Sequence, residues 1–313
     1  ATEKGATYIS SKAFYETGTV WDMTHKEASE LAPVLADILS KAGYNIKGMV
    51  YCGTKGVKDV LVTDGVEITK TDANGHYWLK SNKIYEVVYV ILPSGYNVPT
   101  QAAMPKFWTQ TSTDVNSEEQ HNFELVQASN DNHTVLVVTD IHLTNRELYP
   151  NDRIQFREGF VKELITNYTG KQNVYCFNLG DFAHDVHWYK NDMGWAESLN
   201  NHPSDDISGL PCQFWSTMGN HDNNGRTPAG DDVDLRASGP FRKMVGPTHV
   251  AMNIGKIHYM LLDDILYLNH FTEPNSDPLM GDCNYNAGFR PEMLTWIKKD
   301  LSYVDKNTPI VVG

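Results

Sequence analysis

The chain lacks an apolar run long enough to cross a bilayer. Its longest strongly apolar stretch is residues 87–92, where ~18–20 consecutive residues are needed for a membrane span. It also lacks a positive balance. Lys+Arg number 26 against 39 Asp+Glu, a net charge of −13, which excludes a partner of the duplex nucleic-acid kind, gripped through a basic face. Cysteine is scarce. Cys52, Cys176, Cys212 and Cys283 are widely spaced and form no CxxC pair, so zinc-ribbon and thiol-redox motifs are excluded, and free buried thiols are expected rather than a disulfide. No leader is visible either: Glu3 and Lys4 have no apolar segment behind them, as a mature or trimmed N-terminus would also read. Internal repeats and low-complexity tracts are absent.

What is present is an ordinary globular composition over 313 residues, a length that predicts two domains at roughly 100–200 residues each. Residues 1–43 predict a helical segment. Ala32, Leu35, Ile38, Leu39 and Ala42 recur at helical spacing, Thr24 and Glu27 fit a capping box, and Gly43 is a stop, while Pro33 divides the run into short helices. Residues 44–127 change to short β-rich runs. Asp64-Gly65 and Asp72-Ala73-Asn74-Gly75 separate strands near 57–63, 67–71 and 76–79, a hairpin pattern that predicts a small antiparallel β-sandwich. Residues 128–313 alternate again, with strands at 134–139, 174–179, 214–218, 257–262 and 309–312 and helices at 154–167 and 291–301. This predicts an α/β domain.

The chemistry sits where those buried strands end. Asp140-Ile141-His142 follows the first, Gly180-Asp181 the second and Gly219-Asn220-His221-Asp222 the third, and Asp263-Asp264 closes the fourth. In α/β sheets ligands gather at the carboxyl ends of strands. Residues two apart on an extended chain share a side, so Asp140 and His142 can present an oxygen and an imidazole nitrogen together. Those donors suit iron, zinc or manganese. Asp181 adds a carboxylate able to bridge two ions, and Asn220 a neutral oxygen. Two cations roughly 3.5–4 Å apart form a recurrent clamp on phosphoryl groups.

The ordered set Asp140-x-His142, Gly180-Asp181 and Gly219-Asn220-His221-Asp222 resembles the calcineurin-like metallophosphoesterase superfamily. The β-rich stretch ahead of it, with its Thr-Asp-Ala-Asn-Gly-x-Tyr-x-Leu phrase, is similar to the transthyretin-like sandwiches that precede such domains in bacterial members. The resemblance implies a β-sandwich flanked by helices and two divalent or transition-metal ions (Mn, Fe or Zn). It implies that Asp140 and His142 bind the first ion, that Asp181 bridges both and that Asn220 binds the second. His221, held by Asp222, would contact the phosphoryl oxygen or protonate the leaving group. A metal-bound hydroxide would then hydrolyse a small phosphate ester or anhydride. A periplasmic, secreted or cell-surface location is implied by the resemblance alone.

The superfamily supplies three further histidines after its Gly-Asn-His-Asp motif, two of them in a Gly-His-x-His loop. The later histidines of this chain, His249, His258 and His270, stand in no such context. The expectation is a catalytic domain cut after its fifth strand, with one tightly held metal or none. His184, Asp185, the aromatic group His187-Trp188-Tyr189 and Arg226 are secondary candidates for the pocket, and Asp231, Asp232 and Asp234 are expected to form a solvated loop. The rival reading is a surface binding protein on a degenerate phosphoesterase scaffold, with glycan contact through Tyr77 and Trp78 of the sandwich, together with Trp188.

Overall fold

The computed structural model describes residues 43–142, 152–183, 207, 209–271 and 281–313. The chain divides into two units, Ala1–Tyr44 and Asn45–Gly313. The helical segment expected over 1–43 lies outside the described residues except for Gly43, so the fold described is that of the second unit.

Two larger sheets, with two short two-stranded ones, form the first half of this unit. Strand β1 (Ile46–Cys52) buries Ile46, Gly48 and Val50 on one face, the period of two expected for a strand with one covered side. Residues Leu61–Thr63 (β2), Ile68–Lys70 (β3), His76–Leu79 (β4), Val87–Ile91 (β5) and Trp108–Gln110 (β6) follow. Strand β4 runs antiparallel to β1, with Ile46 opposite Leu79, while Glu119–Gln120 and Phe123–Glu124 pair with β1 in parallel. The other larger sheet has the order β6-β5-β2-β3. The turn chemistry read in the sequence operates here. Asp64 Oδ1 accepts the amides of Val66 and Glu67 at 2.9 and 2.7 Å, and Asp72 Oδ1 accepts those of Asn74 and His76. Tyr77 is fully buried, its hydroxyl donating to the His121 carbonyl at 2.7 Å.

All five residues of β5 are buried. Its sheet is covered on both faces, one by β1 and β4 and the other by the second half of the chain. There, Asn253 N–H donates to the Leu92 carbonyl at 2.8 Å. The Tyr89 hydroxyl donates to the His249 carbonyl at 2.9 Å, and Trp296 Nε1–H to Thr63 Oγ1 at 3.1 Å. One apolar core, from Ile46 and Val62 to Phe177, Met252 and Trp296, runs through both halves without a break.

The second half has two three-stranded sheets and a two-stranded one, in which Ile265–Tyr267 pairs with Tyr285–Ala287. Parallel strands Thr134–Val138 (β7), Val174–Leu179 (β8) and Gln213–Thr217 (β9) lie in the order β7-β8-β9. Strands Val250–Ile254 (β10), Ile257–Leu261 (β11) and Ile310–Val312 (β12) form the other three-stranded sheet, with β10 antiparallel and β12 parallel to β11. The rings of Phe177 and Tyr259 meet edge-on across the two sheets at 5.3 Å. Helix α1 (Lys162–Tyr168) continues a turn of π-helix at Phe156–Val161, and helix α2 (Pro291–Ser302) buries Met293 and Trp296. The mixed α/β fold with a β-rich region ahead of it is the one expected. Strand β10 was not foreseen, because its Val-Ala-Met-Asn-Ile run neither alternates nor stays apolar. All four cysteines are free, and Cys176 is fully buried in β8. Among the described residues no helix is long and apolar enough to cross a membrane.

Candidate metal centre

Parallel strands deliver their carboxyl ends to one edge of a sheet, and β7, β8 and β9 bring three loops together there. The chain does not stay extended beyond β7. Asp140 and His142 take left-handed backbone angles (φ 55° and 49°), as does Asp181 after β8 (φ 53°). The expectation that Asp140 and His142 share a side through strand periodicity is therefore corrected. They do converge, with His142 Nε2 3.8 Å from Asp140 Oδ1, but through two tight turns. Backbone bonds hold these turns in place: Asp140 N–H donates to the Gly180 carbonyl at 3.2 Å and His142 N–H to the Asp181 carbonyl at 2.9 Å. The third loop is tied in by His221 N–H, which donates to Asp181 Oδ1 at 2.9 Å.

Both glycines of the motif are required by close approach. A Cβ on Gly180 would stand 2.9 Å from Gly219 Cα. One on Gly219 would stand 2.3 Å from Asp181 Oδ1 and 2.5 Å from the Asp181 amide nitrogen. Gly219→Ala is therefore expected to push Asp181 out of line. The variant's affinity for a divalent cation such as Mn, titrated beside the wild type, is expected to fall at least tenfold, as when a positioning contact of a metal ligand is lost. Unchanged affinity would show that the contact relaxes freely.

His142, Asp181 and His221 each offer a ligand atom, all within 4.8 Å of one another. Donors around a single ion at roughly 2.1 Å lie about 3–4 Å apart, so a small closure of this cluster suffices to hold one. The imidazole and carboxylate set suits first-row divalent cations. The His142 and His221 rings are 4.8 Å apart between centroids, and Asp181 Oδ2 lies 3.7 Å from His142 Nε2. Asp140, Asp181, Asn220 and Asp264 line one cleft of about 310 Å³. Three carboxylates and one carboxamide, with the hydroxyl-bearing Thr139 and Thr217, thus line the space beside the cluster. Asp264 was noticed only as part of a strand-end pair. Its place in the cleft depends on the packing of one sheet against the other, which leaves no local sequence signal.

His221, expected at the phosphoryl group, stands beside His142 and Asp181. Asp222, expected to hold the His221 ring, is fully buried and gives its carboxylate to backbone amides instead. It accepts from Ala183 at 2.8 Å, Gly219 at 3.0 Å and Phe182 at 3.4 Å. Neighbouring residues of the short 3-10 turn Asn220–Asp222 point in different directions, so Asp222 is buried while the His221 ring stands beside His142. Burial pushes the Asp222 carboxyl up to about 7, against the pull of the Ala183 and Gly219 amides. Behind the cleft, burial raises Asp263 well above the ordinary carboxylate range, helped by Asp234. The concentration of carboxylates around the cleft favours cations.

The later histidines take structural positions. Buried His249 bonds the Gly65 carbonyl through Nε2 at 2.9 Å. His258 Nε2 meets Asp300 Oδ2 at 2.7 Å, and His270 Nδ1 meets Asp282 Oδ2 at 3.3 Å. Asp232 and Asp234 pair with Arg290 at 3.4 Å each, so only part of that acidic loop is free in solvent. Arg226 is partly buried. His184, Asp185, His187, Trp188 and Tyr189 lie outside the described residues.

The family model described as calcineurin-like phosphoesterase matches residues 133–301. A second, described as the N terminal of calcineurin-like phosphoesterase, matches residues 44–128. No curated protein matches the chain. With the strand-end cluster of His142, Asp181 and His221 inside the longer match, the chain belongs to the calcineurin-like phosphoesterase family.

Proposed function

We propose that this chain hydrolyses a small phosphate ester or anhydride at the cleft bounded by Asp140, Asp181 and Asn220, with two divalent cations, of which only the first is held tightly by this chain. The observation that carries this reading is the convergence of His142, Asp181 and His221 within 4.8 Å at the ends of three parallel strands. Asp140, His142, Asp181 and His221 are the residues that would hold the first ion, and Asp181, Asn220 and Asp264 those available to a second. Such cations supply charge neutralisation for the phosphoryl oxygens and lower the pKa of bound water. The protein's own contribution is positional. The amide of His221 fixes one oxygen of Asp181, so its other oxygen keeps its direction toward His142. Asp222 ties the second loop to the third through the amides of Phe182, Ala183 and Gly219. The backbone bonds from Asp140 and His142 do the same for the first loop.

In this reading the ring of His221, beside His142 and Asp181, would bind cation or contact the phosphoryl group. His221→Ala is expected to lower turnover of bis-nitrophenyl phosphate about a hundredfold, the lower end of what a placed acid or base contributes. A purified chain that turns over neither mono- nor bis-nitrophenyl phosphate with Mn, Fe, Zn or Mg would overturn the proposal.

A further inference from the structure

A second cleft, of about 680 Å³, lies where the first half of the folded unit meets the second, with Glu86 and Gln110 on one side and Arg236, Arg242 and Lys243 on the other. Arg242 is only 4% exposed. Its NH1 donates to the Leu235 carbonyl at 2.8 Å and to Ser238 Oγ at 2.5 Å. Its Nε is buried with no hydrogen-bond partner among the described residues. Glu86 is the acid that acts most on its charge, with a smaller contribution from Asp234, which pairs with Arg290, and neither forms an ion pair with Arg242 among the described residues. A buried guanidinium with no ion-paired carboxylate is costly, and here the more distant charges of Glu86 and Asp234 offset only part of its desolvation. Burial accordingly pulls the Arg242 guanidinium below its ordinary range. Three cationic side chains against the single carboxylate of Glu86 make this a positive pocket on a chain of net charge −13.

The geometry points to this pocket as a binding site for a small oxyanion, a phosphate or carboxylate group, that pairs with Arg242 at its floor and with Arg236 and Lys243 at its rim. Arg242 matches such groups because its planar fork offers parallel N–H donors to two oxygens. The site is separate from the cleft at Asp181 and does not rest on the hydrolytic reading.

Inorganic phosphate, titrated calorimetrically at low ionic strength, tests it. The His142→Ala protein serves as background, so that the cleft at Asp181 contributes little. Phosphate is expected to bind in that background. The double variant Arg236→Gln/Lys243→Gln, which changes rim side chains alone, is expected to bind at least tenfold more weakly. Arg242→Met is expected to abolish binding, and the double variant decides the matter if Arg242→Met does not fold. Competition with malonate distinguishes the source: displacement of phosphate by equimolar malonate assigns a carboxylate ligand, and its failure a phosphate. Equal phosphate affinity with and without the rim residues would overturn the inference. So would phosphate binding that disappears with His142→Ala.

Discussion

Asp181→Ala should bring phosphoester turnover down by about a thousandfold and empty the cluster of metal. Asp181 does two things at once. One oxygen accepts the His221 amide at 2.9 Å, and the other stands 3.7 Å from His142 Nε2. Removing the side chain deletes the central anionic donor and unfastens the third loop from the second. Several kcal/mol of transition-state charge stabilisation is about a thousandfold in rate. Asp181→Asn separates the two roles. The amide oxygen still accepts from His221, so the loop should stay in place and the fold should melt as before, while the lost charge should still deplete the metal. Asp140→Ala should be milder, since that side chain is 63% exposed. Metal stoichiometry and nitrophenyl phosphate turnover measured on the same preparations check the series. Full metal occupancy in Asp181→Ala would overturn the assignment.

Acid should weaken the fold through His249. Burial drops its pKa from 6.5 to about 4, opposed by the Gly65 carbonyl and reinforced by Arg242. The imidazole is therefore neutral in the folded chain where an unfolded one is protonated. Its contribution is whole above pH 6.5, declines as the unfolded state takes up its proton, and is lost by pH 4. At 1.36 kcal/mol per unit this is a loss of about 3 kcal/mol. Asp64, Asp222, Asp234 and Asp263 act in the opposite sense, since burial raises their carboxyls. The wild-type pH profile alone therefore does not isolate His249. The comparison that does is His249→Gln, which preserves a donor for Gly65. The stability lost between pH 7 and pH 4.5, from urea unfolding, should be about 2–3 kcal/mol smaller in the variant than in wild type. An identical loss in both would refute the role given to this ring.

How much of this was legible in the sequence depended on range. The ends of β7, β8 and β9 were readable because continuous apolar runs stop at polar motifs, and β8 spans Val174–Leu179 as expected. The hairpin turns were readable because Asp64 and Asp72 accept amides only two to four residues further along the chain. What escaped depended on distant partners. The approach of Gly219 to Asp181 and the inward turn of Asp222 are set by two loops about 40 residues apart. The burial of Tyr77, which removes one aromatic from the glycan-binding surface envisaged for the sandwich, follows from β1 pairing with Phe123–Glu124. His249 looks like a loop residue until the Gly65 turn is packed on it.

The change of composition near residue 128 separates the two matched segments, 44–128 and 133–301, yet β5 is buried on both faces and Leu92 bridges to Met252. A seam in the sequence is therefore not a seam in the fold. Cut there, each half would present to water an apolar face that the other now covers, and neither would be a self-sufficient module. In a modular gene these segments would have to travel together, because each serves as the solvent shield of the other.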